Sequence, residues 1–138
     1  MKSSACLALF VVLSSFMMAS CKKSKTPKVE TLTSFPFNTK IEGEFLDVRR
    51  FSSGDQYFFV LRINVEKISD KESVSKAPFS PVSEEAKIER MTRSMAEHFD
   101  DFLFSVSNTS CFEGLDSSGF WLKIVMVDNE VFIIANPI

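Results

Sequence analysis

Alternating apolar and polar positions mark a strand near the middle of the chain. In residues 56–67, every second side chain is apolar, and this set consists of Tyr57, Phe59, Leu61, Ile63 and Val65. Because successive strand residues point to opposite faces of a sheet, the set predicts one face turned toward a core. The glycine-containing segment 52–55 separates this strand from an earlier predicted strand at 42–51. The pattern predicts an antiparallel hairpin, with a bulge where Phe45 and Val48 break the alternation.

A second hairpin is predicted at the carboxyl end of the chain. Residues 120–128 and 130–136 are almost continuously apolar, and Asp128-Asn129 lies between them as a turn. The segment Asp116–Gly119 forms another cluster of turn residues before the first of these strands. Such continuous apolar strands are typical of a sheet that is covered on both faces.

A helical pattern separates the two hairpins. Apolar residues recur at helical spacing from Ile88 to Leu103, which predicts one amphipathic helix of about five turns that begins after a capping residue at Ser83. Its apolar stripe is either core or a groove for a partner. The order of elements predicts an α+β fold, in which an antiparallel β-sheet or sandwich carries one amphipathic helix inserted between two hairpins.

The polar segment 69–83, which contains Pro78 and Pro81, is predicted to be a long connection without regular structure. Phe79 is unusual in such a segment. Either it pins the connection to the body of the protein, or it is exposed as a contact for a partner.

The amino terminus has the features of a secretory signal. Lys2 precedes an apolar stretch of 15 residues from Ala5 to Ala19, which as a helix would be about 22 Å long and too short to span a bilayer. The stretch ends in Met18-Ala19-Ser20-Cys21, which resembles the lipobox of bacterial lipoproteins. This resemblance implies that Cys21 is acylated with palmitate-like chains and becomes the first mature residue. The alternative is an ordinary secretory signal that leaves Cys21 as a free thiol.

Three parts of the chain are therefore expected: a signal peptide at 1–20, the lipidated Cys21 with a flexible basic tether at 21–34, and one globular β-rich domain at 35–138. The four lysines between residues 22 and 28 either form a solvated spacer or contact anionic lipid headgroups. Because Lys22 rather than Asp follows Cys21, the resemblance implies an envelope location at the outer membrane, facing the periplasm.

Charge limits the classes of partner. After residue 28 the chain carries 11 basic and 18 acidic side chains, a formal charge of −7. Nucleic acid requires a basic face, so nucleic-acid binding is not expected. The acidic surface would suit a basic protein partner, or it merely keeps the domain soluble.

The residues that carry common chemistries are sparse. The four glycines are isolated from one another, so there is no phosphate-binding loop, and no Gly-x-Ser-x-Gly motif occurs. Catalysis by Cys111 would need His98, the single histidine, while an unlipidated Cys21 could instead form a disulfide with Cys111. We therefore predict no catalytic residue, metal or cofactor, and a protein that is not an enzyme.

The strand sequences at 58–63 and 119–124 are loosely similar to those of small envelope lipoproteins of Gram-negative bacteria, including immunity lipoproteins. This resemblance implies a membrane-anchored, protein-binding lipoprotein that neutralises an envelope-acting toxin. The alternatives are a structural or assembly lipoprotein of an envelope machine, and a carrier of a small apolar ligand. Because recognition residues concentrate on loops, the predicted partner contacts are Phe79, Ser53, Asp55, Asp116 and Ser118.

Overall fold

The structure is a computed structural model that describes residues 27–34, 37–38, 41–76 and 78–138. The predicted signal peptide, Cys21 and residues 22–26 of the predicted tether lie outside these ranges. The strands are β1 (Lys28–Thr31), β2 (Glu44–Ser53), β3 (Gln56–Asn64), β4 (Ser80–Pro81), β5 (Ser110–Leu115), β6 (Phe120–Val127) and β7 (Glu130–Pro137). The helices are α1 (Ile68–Ser75) and α2 (Glu85–His98), and a short 3₁₀ helix spans Val106–Asn108.

The seven strands form one antiparallel sheet in the order β1-β2-β3-β7-β6-β5-β4. A mostly β structure with two helices agrees with the predicted α+β class. The predicted strand pairs are present as β2–β3 and β6–β7, and β3 and β7 join them at the centre of the sheet. The predicted bulge in β2 is also present, as a register shift between Phe45 and Asp47.

Residues on opposite faces of the sheet belong to two separate hydrophobic clusters. The face that we call the α1 face buries Leu61, Ile63, Leu122, Ile124 and Ile133, together with Val74 of α1. The α2 face buries Val60, Val125, Phe132 and Ile134 against Met91 and Met95 of α2. The apolar stripe of α2 is therefore core, and β7 is covered on both faces as its continuous apolar sequence predicts.

Several elements differ from the prediction. Helix α1 lies in the segment predicted as an irregular connection. Its sequence does not show a helical pattern, because it is polar and Val74 is its one buried residue. Strand β1 lies within the segment predicted as a flexible tether, and it pairs with β2. Strand β5, which pairs with β6, was not predicted. Each of these elements depends on contacts with distant parts of the chain, which local apolar periodicity does not encode.

Helix α2 is shorter than predicted and begins differently. Its amino-terminal cap is Glu84 rather than Ser83, without a side-chain capping hydrogen bond, and the helix ends at His98 with Phe99 as its carboxyl cap. Phe102 then packs on Phe132 from a non-helical segment, with ring centroids 4.7 Å apart. Leu103, the last residue of the predicted stripe, is exposed.

Candidate interaction surfaces

The strand register divides the domain into two ends. Lys28 is paired with Ser52, and Phe120 is paired with Pro137. Pro27, the β2–β3 turn, the β5–β6 turn and the carboxyl terminus therefore lie at one end of the sheet, which we call the tether end. The opposite end, which we call the far end, carries the start of β2, the connection from β3 to α1, and the β6–β7 turn.

Two of the predicted contact residues are exposed in the β2–β3 turn at the tether end. Ser53 and Asp55 flank Gly54, whose φ of 61° lies in the left-handed region that favours glycine. Both residues line a groove of about 460 Å³ that extends to Pro27 and Ile138. This turn is accessible, as the sequence predicts.

The β5–β6 turn is at the same end, but Asp116 is 1% exposed. An Oδ2 oxygen of Asp116 accepts a hydrogen bond from the backbone N–H of Ser118 at 2.8 Å. The half-buried Ser118 hydroxyl in turn accepts one from the backbone N–H of Asn38 at 2.9 Å. The prediction that Asp116 contacts a partner is therefore wrong, because its carboxylate is buried and organises the turn.

Phe79 is also buried, at 4% exposure, in the cluster on the α1 face. It packs where Gly114 has no side chain: a Cβ atom on Gly114 would lie 2.5 Å from the Pro78 carbonyl oxygen and 3.0 Å from the Phe79 ring. The prediction of Phe79 as a partner contact is wrong, and the alternative, that it pins the connection, is what the structure has.

Arg62 on the α2 face joins three parts of the chain. It forms two hydrogen bonds with the carboxylate of Glu130, at 3.0 and 3.1 Å, and a third with Asp101 at 2.8 Å. The hydrogen bond from Arg62 lowers the pKa of Asp101. Asp101 is thus an ion-pair partner of Arg62 on β3. In the sequence, Asp101 is recognisable only as one of two adjacent acidic residues near the end of the predicted helix.

The carboxyl end of α2 has a similar anchor. Arg49 donates a hydrogen bond through Nη2 to the His98 carbonyl oxygen at 2.9 Å. The imidazole of His98 contacts the rings of Phe51 and Phe58, with centroids 5.2 and 5.5 Å apart. Burial lowers the pKa of His98, and the nearby Arg49 charge lowers it further.

The structure does not bring His98 and Cys111 together. His98 packs on β2 and β3, whereas Cys111 lies on β5, separated from β3 by β7 and β6. Three strand spacings amount to about 14 Å. Cys111 is a buried free thiol, and burial raises its pKa, which favours the unreactive protonated form.

The far end carries carboxylates from three segments. Glu42, Glu44, Glu66 and Asp128 are exposed there and Asp70 is half-buried, while Lys67 and Lys71 are the basic residues of the same segments. Glu44, Glu66 and Asp70 line a groove of about 370 Å³ with Asn64 and Lys67, so carboxylates outnumber cations in it. These residues could receive basic groups of a partner.

A strip beside α2 has the opposite charge. Arg90 and Lys123 line a groove of about 310 Å³ between the helix and β6. Neither forms an ion pair with any other residue of the described ranges, whereas the neighbouring Lys87 is paired with Glu113. Two cations without an ion-pair partner in the described ranges therefore lie on the strip beside α2, whereas exposed carboxylates lie at the far end.

The described residues include no group of three or more His, Cys, Asp and Glu side chains that could hold a metal ion. Neither helix in these ranges is both long enough and apolar enough to cross a membrane.

Comparison of the chain with protein-family models, with curated proteins and with solved structures finds no match.

Proposed function

We propose that this chain is a membrane-anchored lipoprotein whose domain binds another protein in the cell envelope, as an immunity protein or inhibitor of an envelope-acting toxin. The proposal is carried by Met18-Ala19-Ser20-Cys21, which follows a short apolar segment and precedes a lysine-rich tether. A diacylated or triacylated cysteine holds a protein stably on a bilayer, because two or more chains exceed the marginal affinity of one. In this proposal the chain acts by binding and carries no catalytic residue.

The position of the tether indicates which surface meets the partner. Cys21 is six residues before Pro27, and β1 enters the sheet at the tether end. An anchor at Cys21 therefore directs the far end away from the bilayer. Ser53 and Asp55, although exposed, lie on the membrane side, so we assign the partner contact to the far end instead.

The chemistry of the far end favours a basic partner. Exposed Glu44, Glu66 and Asp128 form no ion pair within the described ranges. Rim charges of this kind raise the rate of association with an oppositely charged protein and make it sensitive to salt. The helix α2 fits this arrangement as a structural layer inserted between the two hairpins, since its apolar stripe is buried.

Labelling tests the anchor. Cells that express the full chain are grown with labelled palmitate, and we expect label in the parent protein and none in Cys21→Ser. Cys111→Ser is the matched control and should keep the label, because Cys111 is buried and distant from the signal. Equal processing and location of the parent and Cys21→Ser would contradict the proposal.

Site-specific crosslinking tests the partner. A photoreactive amino acid at Glu66 should give a defined product with a basic envelope or toxin protein, whereas the same group at Asp55 should not. The combined variant E44K/E66K/D128N should lose both the product and protection from the toxin while keeping its thermal stability, because Asn tolerates the positive φ of 53° at residue 128. If the product is another envelope component and no toxin is neutralised, the assembly function replaces the immunity function. If no protein is captured and a lipid copurifies, the carrier function replaces both.

A further inference from the structure

We propose that the tether end of the sheet rests on an anionic bilayer surface, with Trp121, Leu115 and Ile138 in the interfacial layer. This inference depends on the proposed lipid anchor at Cys21 and adds an orientation and a membrane-contact surface to it.

The length of chain before the sheet restricts the orientation. From Cys21 to Pro27 there are six residue steps, which span at most about 22 Å when fully extended. Strand β7 has eight residues, and its seven steps correspond to about 24 Å between the two ends of the sheet. Even when fully extended, the tether is slightly shorter than the sheet, so it holds the tether end closer to the membrane than the far end.

Helix α2 leaves the tether end of its sheet face uncovered. Trp121 and Leu115 are paired across β6 and β5 on this face, and they remain 37% and 48% exposed. Ile138 is 82% exposed at the same end, where its backbone N–H donates to the Gly119 carbonyl oxygen at 3.1 Å. Three exposed apolar side chains thus lie at the tether end: Ile138 lines a groove with Pro27, whereas Trp121 and Leu115 lie four and five strands away from β1 along the same end of the sheet.

Trp121 is suited to an interfacial position by its chemistry. An indole combines a large apolar ring with one N–H donor, and tryptophan is enriched where membrane and water meet. A protein partner could also cover such a ring, but the short tether brings the bilayer to this end of the domain and not to the other.

Charge complementarity favours the same occupant. Residues 22–28 contribute Lys22, Lys23, Lys25 and Lys28, and Lys123 lies two residues along β6 from Trp121, in the groove that it lines with Arg90. Asp55 and Glu97 are exposed carboxylates on this side of the domain, and Glu97 lines a groove with Lys123 and Asn136. They are fewer than the four lysines of residues 22–28, whereas the far end presents several carboxylates. Anionic headgroups would attract the first surface and repel the second.

The test uses the single tryptophan of the chain as a probe. The full acylated protein is inserted into vesicles of phosphatidylglycerol and phosphatidylcholine, with or without bromine on the acyl chains near the headgroup. We expect Trp121 emission to shift to the blue on binding to the vesicles and to be quenched by brominated lipid. The double variant W121F/I68W moves the probe to an exposed position of α1 at the far end, and its emission should be insensitive to bromine.

The outcomes separate this proposal from the one on which it depends. If the acylated protein does not float with the vesicles, the anchor itself is wrong. If it floats but Trp121 is quenched by aqueous iodide and not by brominated lipid, the anchor stands and the membrane contact is overturned. If Trp121 is shielded from both quenchers, a second copy or another protein covers this surface, and the membrane contact is again wrong. Weaker quenching in vesicles of phosphatidylcholine alone would support the role of the cations.

Discussion

The two faces of the sheet differ in how many arginines they pack against aromatic rings. On the α1 face, the guanidinium carbon of Arg50 lies 4.6 Å from the ring centroid of the half-buried Tyr57, whereas the α2 face packs two arginines, each against two rings. The guanidinium carbon of Arg49 lies 5.5 and 5.3 Å from the ring centroids of Phe51 and Phe99. That of Arg62 lies 5.5 and 5.6 Å from the centroids of Phe102 and Phe132. The α1 face thus depends mainly on the volume that its side chains fill, whereas charged groups make more of the directional contacts on the α2 face.

The two faces also differ in the chain segments that cover them. The segment that follows α2 returns over Phe132 without regular backbone pairing, and Arg62 attaches it to β3 and β7 through Asp101 and Glu130. On the α1 face, Val74 and Phe79 cover the sheet through apolar packing. We therefore expect the two faces to respond differently to deletion of volume and to deletion of charge.

The largest effect is expected from a cavity on the α1 face. Leu61 is fully buried in the central strand β3, and Leu61→Ala should lower the free energy of unfolding by about 2–5 kcal/mol. Leu103→Ala makes the same chemical change at an exposed position and should alter stability by less than about 0.5 kcal/mol. Denaturant-induced unfolding of both variants measures the difference, and equal losses would show that Leu61 is not part of a tightly packed core.

The same contrast explains how far the sequence predicts the fold. Alternation from Tyr57 to Val65 identifies the inner side of β3, since burial of one strand face leaves a local period of two. Arg62 lies on the other side of this strand, and its partners are 68 and 39 residues away. No local pattern encodes such pairs, so the anchoring of the segment after α2 was not predicted.

The candidate contacts show the same limit. The exposure of Ser53 and Asp55 follows from a glycine-containing hairpin turn. The burial of Phe79 depends on Gly114, which lacks the side chain that would occupy its place. The burial of Asp116 depends on the hydrogen bonds within its own turn. Turn composition locates the loops, but it does not specify which of their side chains face the solvent.

An intermediate effect is expected from charge deletion on the α2 face. Arg62→Gln removes both hydrogen bonds to Glu130 and leaves that carboxylate partly buried, which should cost about 1–3 kcal/mol of unfolding free energy. The control is Arg93→Gln, because Arg93 pairs with Glu89 at 3.0 Å on the exposed side of α2. That pair should contribute about 0.3–0.5 kcal/mol. If chemical denaturation shows similar losses for the two variants, the contacts of Arg62 add nothing to the α2 face beyond those of a surface ion pair.

The smallest effect is expected from His98, where the α2 face meets the end of its helix. Burial between rings, together with the Arg49 charge, lowers its pKa in the folded protein below the ordinary value of 6.5. Between the lowered pKa and the ordinary one, the unfolded chain binds more protons than the folded chain, so folding stability falls as the pH decreases. The contribution of neutral His98 is complete above about pH 6.5 and is lost as the pH falls through the folded pKa. His98→Gln should remove this part of the pH dependence in unfolding experiments.

Because His98 is the single histidine of the chain, its imidazole signal can be followed by NMR titration without assignment. Arg49→Gln removes the second cause of the lowered pKa and leaves the first, so the pKa should rise toward 6.5 without reaching it. Glu97→Gln should move it the other way, since the Glu97 charge favours the protonated ring. A parent pKa at the ordinary value would show that the imidazole is solvated rather than packed on Phe51 and Phe58. If the pKa of His98 does not change in Arg49→Gln, burial alone lowers it, and the Arg49 charge makes no contribution.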